Sequence, residues 1–271
     1  MKSLKYLLLS SLVLAACSDK SANQVGVVDT QSNSSIIGGS EVKAGDREMV
    51  STVGLYDKAG KFLCTGTLIS GNLVLTAAHC IGEDPTQMVV IFKDKFSNAK
   101  PEDMRPVIAA KRHDKYQPEQ RLNTADIAVV RFNPGAGIPA GYNTAKVLRD
   151  FSLLSPGAKI IAVGYGLNWS WVITKGAGTL RTVELEVENP AFSETEISLQ
   201  QSLKKGICSG DSGGPGYIDI GGQLYVWGVV SRGAALNIPL TPKCAMTSIY
   251  TRVDVYAPFI IDAAKALNAL N

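Results

Sequence analysis

Gly210-Asp211-Ser212-Gly213-Gly214-Pro215 can build a nucleophile and an anion trap within one turn. A serine hydroxyl is a weak nucleophile until a base takes its proton. The negative charge it then raises on a carbonyl substrate has to meet preorganised donors. The glycines around Ser212 let the backbone adopt tight conformations that turn N–H groups toward one point. Alone, such a motif is only a turn. The chemistry needs a base and an acid to orient it.

The chain holds two histidines. His79 sits in Thr76-Ala77-Ala78-His79-Cys80, directly after the apolar run Leu73-Val74-Leu75. That places it at the end of a buried strand, where a side chain is held rigidly. His113 lies in Lys111-Arg112-His113-Asp114-Lys115, which reads as a solvated loop. Asp126 opens the apolar run Ile127-Ala128-Val129-Val130, and a carboxylate there is costly to bury unless it is paired. A helix N-cap or an exposed strand end is the alternative for Asp126.

Taken together, these segments resemble the trypsin/chymotrypsin family of serine endopeptidases. The resemblance covers order as well as motif: Ile36-Ile37-Gly38-Gly39, TAAHC at 76–80, DIAVV at 126–130 and GDSGGP at 210–215. Val163-Gly164-Tyr165-Gly166, Val230-Ser231-Arg232-Gly233 and Ile249-Tyr250-Thr251-Arg252-Val253 fall where the family has similar segments. It implies Ser212 as nucleophile, His79 as general base and then acid, and Asp126 as the group that fixes the imidazole. The oxyanion hole would be the backbone N–H groups of Gly210 and Ser212. Two rivals are a catalytically silent binding protein on the same fold and an esterase. Retention of all three side chains counts against the first, and the IIGG segment against the second.

Composition agrees with a turn-rich β protein: 45% hydrophobic residues, 26 glycines and 12 prolines. Short strands are expected at 64–69, 73–75, 88–92, 127–132, 159–163 and 182–187, and a hairpin at 217–230 turning on Gly221-Gly222. Helical periodicity is confined to the C-terminal segment, where Phe259, Ala263 and Leu267 share a face and Pro258 suits the first turn. Periodicity alone gives an all-β fold with one terminal helix. The family resemblance implies two antiparallel six-stranded β-barrels with the cleft between them.

Lys2 and Lys5 precede an apolar run at 7–16, too short to span a bilayer, which reads as a signal peptide. It ends in Leu14-Ala15-Ala16-Cys17, which looks like a bacterial lipoprotein processing site, with lipid on Cys17; an ordinary secretion signal is the alternative. Ser18 in place of an aspartate points toward the outer membrane. Residues 17–35 then form a polar, lipidated tether, and 36–271 the protease domain. The resemblance implies a zymogen, in which cleavage before Ile36 frees an ammonium that pairs with Asp211. The same cut would sever the tether, so activation and release would be one event. Ser35 replaces the basic residue usual before that bond, which argues against a trypsin-like activating protease.

The remaining four cysteines allow three pairings, and a zinc site would want a close Cys-x-x-Cys pair that the spacing lacks. The family pattern implies Cys64–Cys80 and Cys208–Cys244, which need an oxidising compartment. For specificity, the family's pocket-floor position falls on Gly206, where trypsin-like enzymes carry an aspartate. Gly233 and Ser248 match wall positions. An uncharged slot favours an apolar residue, not Lys or Arg, before the scissile bond. Arg232 stands where the family usually has a tryptophan that shapes neighbouring subsites, and 234–243 is longer than usual. The net charge of +3 is scattered, so the expected partners are protein or peptide substrates, an activating protease, and a membrane only through lipid at Cys17. Nucleic acid is not expected. Trp169 and Trp171 sit in a loop, as substrate anchors or as packing beneath it. No phosphate loop, cofactor motif or repeat is found, so no cofactor or metal is expected; calcium, which the family can hold near 83–96, is left unassigned.

Overall fold

The structure, a computed structural model, describes residues 36–167, 176–202, 204–234, 244 and 247–270. The expected signal peptide, the tether, Cys17, Trp169, Trp171 and most of 234–243 lie outside those residues. After a short strand β1 (Ser40–Glu41), six strands follow: β2 (Thr52–Asp57), β3 (Phe62–Ser70), β4 (Leu73–Thr76), β5 (Met88–Ile91), β6 (Met104–Arg112) and β7 (Ala128–Phe132). They close antiparallel into a barrel in the order β2-β3-β4-β7-β6-β5. The chain then adds β8 (Lys146–Val147), β9 (Lys159–Gly164), β10 (Arg181–Asn189), β11 (Glu196–Gln200), β12 (Pro215–Ile220), β13 (Gln223–Ala234) and β14 (Thr247–Arg252), and ends in helix α1 (Ala257–Asn268). The pairings β9-β10-β11-β14-β13-β12, with β12 back on β9, close a second six-stranded barrel; β1 extends β10, and β8 runs parallel to β13. The fold is chymotrypsin-like.

The pattern behind each strand is visible in its burial. In β10 the side chains alternate, with Val183, Leu185 and Val187 buried and Glu184, Glu186 and Glu188 exposed, as a sheet with one wet face requires. β4 is buried throughout because β3 and β7 flank it inside the first barrel. One core fills that barrel around Leu55, Leu68, Val74, Val130 and Phe132, and a second gathers Ile36, Ile160, Leu199, Trp227 and Tyr250. The helix joins the first core through Ala263 and Leu267, with Phe259 partly buried beside them.

Six strands escaped the sequence reading: the short β1 and β8, and β2, β6, β11 and β14. β6 carries Pro106, Lys111 and Arg112 and shows no clean alternation because much of it is half-exposed. The charged run 111–115 is therefore not simply a solvated loop. Lys111 and Arg112 end β6, and the Arg112 guanidinium donates to the carbonyls of Ala78, Ile81 and Gly82, bracing the turn that carries His79. His113 is half-buried, its ring edge-on to Tyr256 at 5.0 Å and tilted against Phe259 at 4.7 Å, because α1 folds back over it. Burial there pushes its imidazole below the usual histidine range.

Candidate active site

β4 delivers the chain into a short 3-10 turn, Ala78–Cys80, in which Ala78 and Cys80 are buried and His79 points out. The Cys64–Cys80 disulfide ties this turn to β3, with Cα atoms 6.0 Å apart. Asp126 reaches the same place from the segment ahead of β7. Its Oδ1 accepts the His79 amide at 3.0 Å, and its Oδ2 lies 2.8 Å from His79 Nδ1. The Asp126 side chain is only 5% exposed, whereas that of His79 is 33% exposed, so the carboxylate is sealed and the imidazole opens to solvent. Burial alone would raise the Asp126 carboxyl. The hydrogen bond and charge of His79, and the Ser231 hydroxyl donating at 2.7 Å, outweigh it and hold the group below its ordinary value. An ionised carboxylate only accepts hydrogen bonds, so Nδ1 must carry its proton and Nε2 is left as the basic atom.

Ser231 is placed by a β-bulge. Val230 pairs with Tyr250 and Arg232 with Ile249, leaving Ser231 as the extra residue that turns toward Asp126.

The turn holding Ser212 is pinned to the first barrel. Thr65 N–H donates to the Ser212 carbonyl at 2.8 Å, and Thr65 Oγ1 donates to the Gly210 carbonyl at 2.9 Å. Gly213 adopts φ +78°, and a Cβ there would overlap Thr76 Oγ1 and the Thr65 carbonyl, so glycine is required twice over. Ser212 lines a cavity of about 340 Å³ together with His79, Asp126, Ser231, Arg232 and Tyr116. The three residues that sequence reasoning singled out therefore share one cleft. Asp211 points the other way and is fully buried. Its two oxygens accept the Gly166 and Cys208 amides at 2.8 Å each, and burial pushes its carboxyl up to about 7.

A family model described as Trypsin matches residues 36–260. The chain belongs to the trypsin family. It is a serine endopeptidase. Granzyme F of Mus musculus is 30% identical over 245 residues, covering 86% of this chain and 92% of that protein. Chymotrypsin-like elastase family member 1 of Canis lupus familiaris is 26% identical over 249 residues, covering 85% and 92%. Chymase of Rattus norvegicus is 26% identical over 208 residues, covering 73% and 77%.

The residues expected to shape specificity, Gly206, Gly233 and Ser248, all lie among the described residues. Gly233 and Ser248 are partners across the β13–β14 ladder, Gly233 exposed and Ser248 buried. Gly206 is buried and bridges Ile37, its amide donating to the Ile37 carbonyl at 3.0 Å. The space a side chain would take at Gly206 is filled by Gln201, whose Oε1 accepts the Ile207 amide at 3.0 Å and whose Nε2 donates to the carbonyls of Ile207 and Cys244. Cys208 and Cys244 are bonded, with Cα atoms 5.2 Å apart, bracing this wall. Sequence reasoning missed Gln201, Thr65 and Glu196, and gave Ser231 no role. The bulge at Ser231 has no signature in the letters. Glu196, a fully buried acid, was hidden in a strand that was itself not foreseen.

Proposed function

We propose that Ser212, His79 and Asp126 act together as the catalytic triad of this serine endopeptidase. The observation that carries the reading is an imidazole bonded at Nδ1 to a sealed carboxylate and exposed to the cavity that Ser212 lines. In this mechanism His79 Nε2 takes the Ser212 hydroxyl proton as Oγ adds to the peptide carbonyl. The carbonyl oxygen becomes an oxyanion, met by the amides of Gly210 and Ser212. His79 then gives its proton to the departing amine, leaving an acyl-serine and a neutral imidazole. Water repeats the cycle in reverse, its proton passing through His79 back to Ser212. Asp126 stays ionised throughout and stabilises the imidazolium each time it forms.

The chain is read as a zymogen. Ile36 lies fully buried in the second core, yet its φ of +50° is a strained value for a β-branched residue. That angle is restricted by the peptide bond to residue 35, so cutting the bond relieves the strain. The same cut frees an ammonium that, on the family resemblance, pairs with Asp211, whose raised pKa reflects burial opposed by two backbone amides. The neutral floor formed by Gly206 and Gln201 supports cleavage after an apolar residue in preference to Lys or Arg. The two disulfides support an exported protein. The motif at 14–17 supports an outer-membrane lipoprotein precursor that is shed when it is activated.

N-terminal sequencing of active material tests activation: the expected first residue is Ile36. Full activity in a chain still beginning at Cys17 would overturn the zymogen reading.

A further inference from the structure

Peptide-bond hydrolysis makes no demand for a second ion pair beside the triad, yet the chain builds one. Arg232 Nη1 lies 2.7 Å from Glu196 Oε1, and Nη2 lies 3.0 Å from Oε2, a bidentate pair joining β13 to β11. Glu196 is fully buried, and Arg232 forms part of the wall of the catalytic cavity.

The pair grips a segment of the other barrel. Arg232 Nη2 donates to the Arg121 carbonyl at 2.6 Å. The Asn123 amide donates to Glu196 Oε2 at 3.0 Å, and the Thr124 hydroxyl donates to Oε1 at 3.0 Å. Beside Glu196, Thr195 Oγ1 donates back to Asn123 Oδ1 at 3.0 Å. This segment leads directly into Asp126, and the backbone on the way is strained: Asn123 has φ +54° and Ala125 has φ +51°. Such conformations persist only where the surroundings over-determine them. The same guanidinium also lies 3.3 Å from Ser231 Oγ, the hydroxyl that donates to Asp126 Oδ2. Arg232 therefore reaches Asp126 by two routes, through the strained segment and through Ser231.

We propose that the Glu196–Arg232 pair is a cross-barrel clamp that positions Asp126 against His79. It rests on the assignment of Asp126 as the orienting acid. The pair is a positioning device rather than a catalytic one, because Glu196 touches neither substrate nor reacting atoms. It also explains the arginine at 232. A tryptophan there could line the subsite but could not hold both oxygens of Glu196.

Two variants of the chain, each cleaved before Ile36, test the clamp. Glu196→Gln removes the charge without altering a side chain that faces substrate. Glu196→Leu/Arg232→Leu replaces the pair by apolar groups, an exchange that is often neutral for stability. In either folded variant kcat falls by ~10–100-fold, the range produced by misplacing a catalytic group. KM stays within about twofold for Glu196→Gln, because only a transition-state interaction is lost. The low-field proton resonance of His79 Nδ1 shifts or broadens, a signature that loss of stability alone does not produce. An unmoved resonance with unchanged kcat in a folded variant overturns the clamp. A KM effect confined to the double variant also overturns it, reducing Arg232 to a subsite wall. The resonance is read whether or not the chain hydrolyses peptides. Failure of the triad assignment would instead appear as an inactive wild-type chain whose resonance still responds to Glu196→Gln.

Discussion

Asp211 allows the pH dependence of stability to be worked out for a chain whose 35–36 bond is intact. Its carboxyl is fully buried, and burial lifts its pKa from 3.8 to about 7 against the Cys208 and Gly166 amides. Because the folded value lies above the unfolded one, the folded chain keeps a proton that the unfolded chain releases. Stability is full below about pH 4 and falls as the pH rises toward and through about 7. At about 1.4 kcal/mol per tenfold in proton affinity, the rise from 3.8 to about 7 corresponds to ~4 kcal/mol. The assay is urea unfolding of Ser212→Ala with the 35–36 bond intact, compared with Ser212→Ala/Asp211→Asn. The asparagine presents an N–H where the carboxylate had an acceptor, a constant penalty of ~1–3 kcal/mol. The slope carries the test. Between about pH 4 and pH 8 the difference between the two chains should move by ~4 kcal/mol in favour of the asparagine variant. Contributions from Asp126 and His113 are common to both chains and cancel. Under the proposed activation, the ammonium freed by cleavage before Ile36 should keep Asp211 ionised, and the slope should disappear. A difference that stays flat with pH in the uncleaved chain refutes the reasoning.

Two further outcomes follow from the site. Asp126→Asn should leave the fold intact but lower kcat by ~10⁴, as the same change does in the general Ser-His-Asp template, because the amide imposes the wrong imidazole tautomer; steady-state kinetics on a peptide substrate checks this. Gly213→Ala places a methyl group into Thr76 and Thr65 at a positive φ, and should destabilise the chain by well over ~1 kcal/mol, read as a lowered Tm, with loss of reactivity at Ser212.

The legible parts of this sequence are those where chemistry restricts residue type. GDSGGP, TAAHC and DIAVV mark a turn that only glycine fits at Gly213, an imidazole held at the end of a buried strand, and a buried acid paired with it. The two-barrel architecture came from their order rather than from periodicity, since strands such as β6 mix Pro106 and charged residues with apolar ones. Contacts made by packing between distant segments were not legible. His113 looked solvated because Tyr256 and Phe259 meet it only once α1 folds back. Glu196 carried no signal because the guanidinium that neutralises it lies 36 residues away. Gln201 could not be foreseen as the neighbour of Gly206, because the chain doubles back between them.

The central claim is that Ser212 is activated by His79 and Asp126 in a cleaved chain. Treatment with a fluorophosphonate, followed by mass spectrometry of the tryptic peptides, tests it most directly. The account predicts one adduct, on Ser212, in the chain beginning at Ile36, and none in His79→Ala. An unlabelled Ser212 in that chain, or equal labelling of His79→Ala, would contradict it.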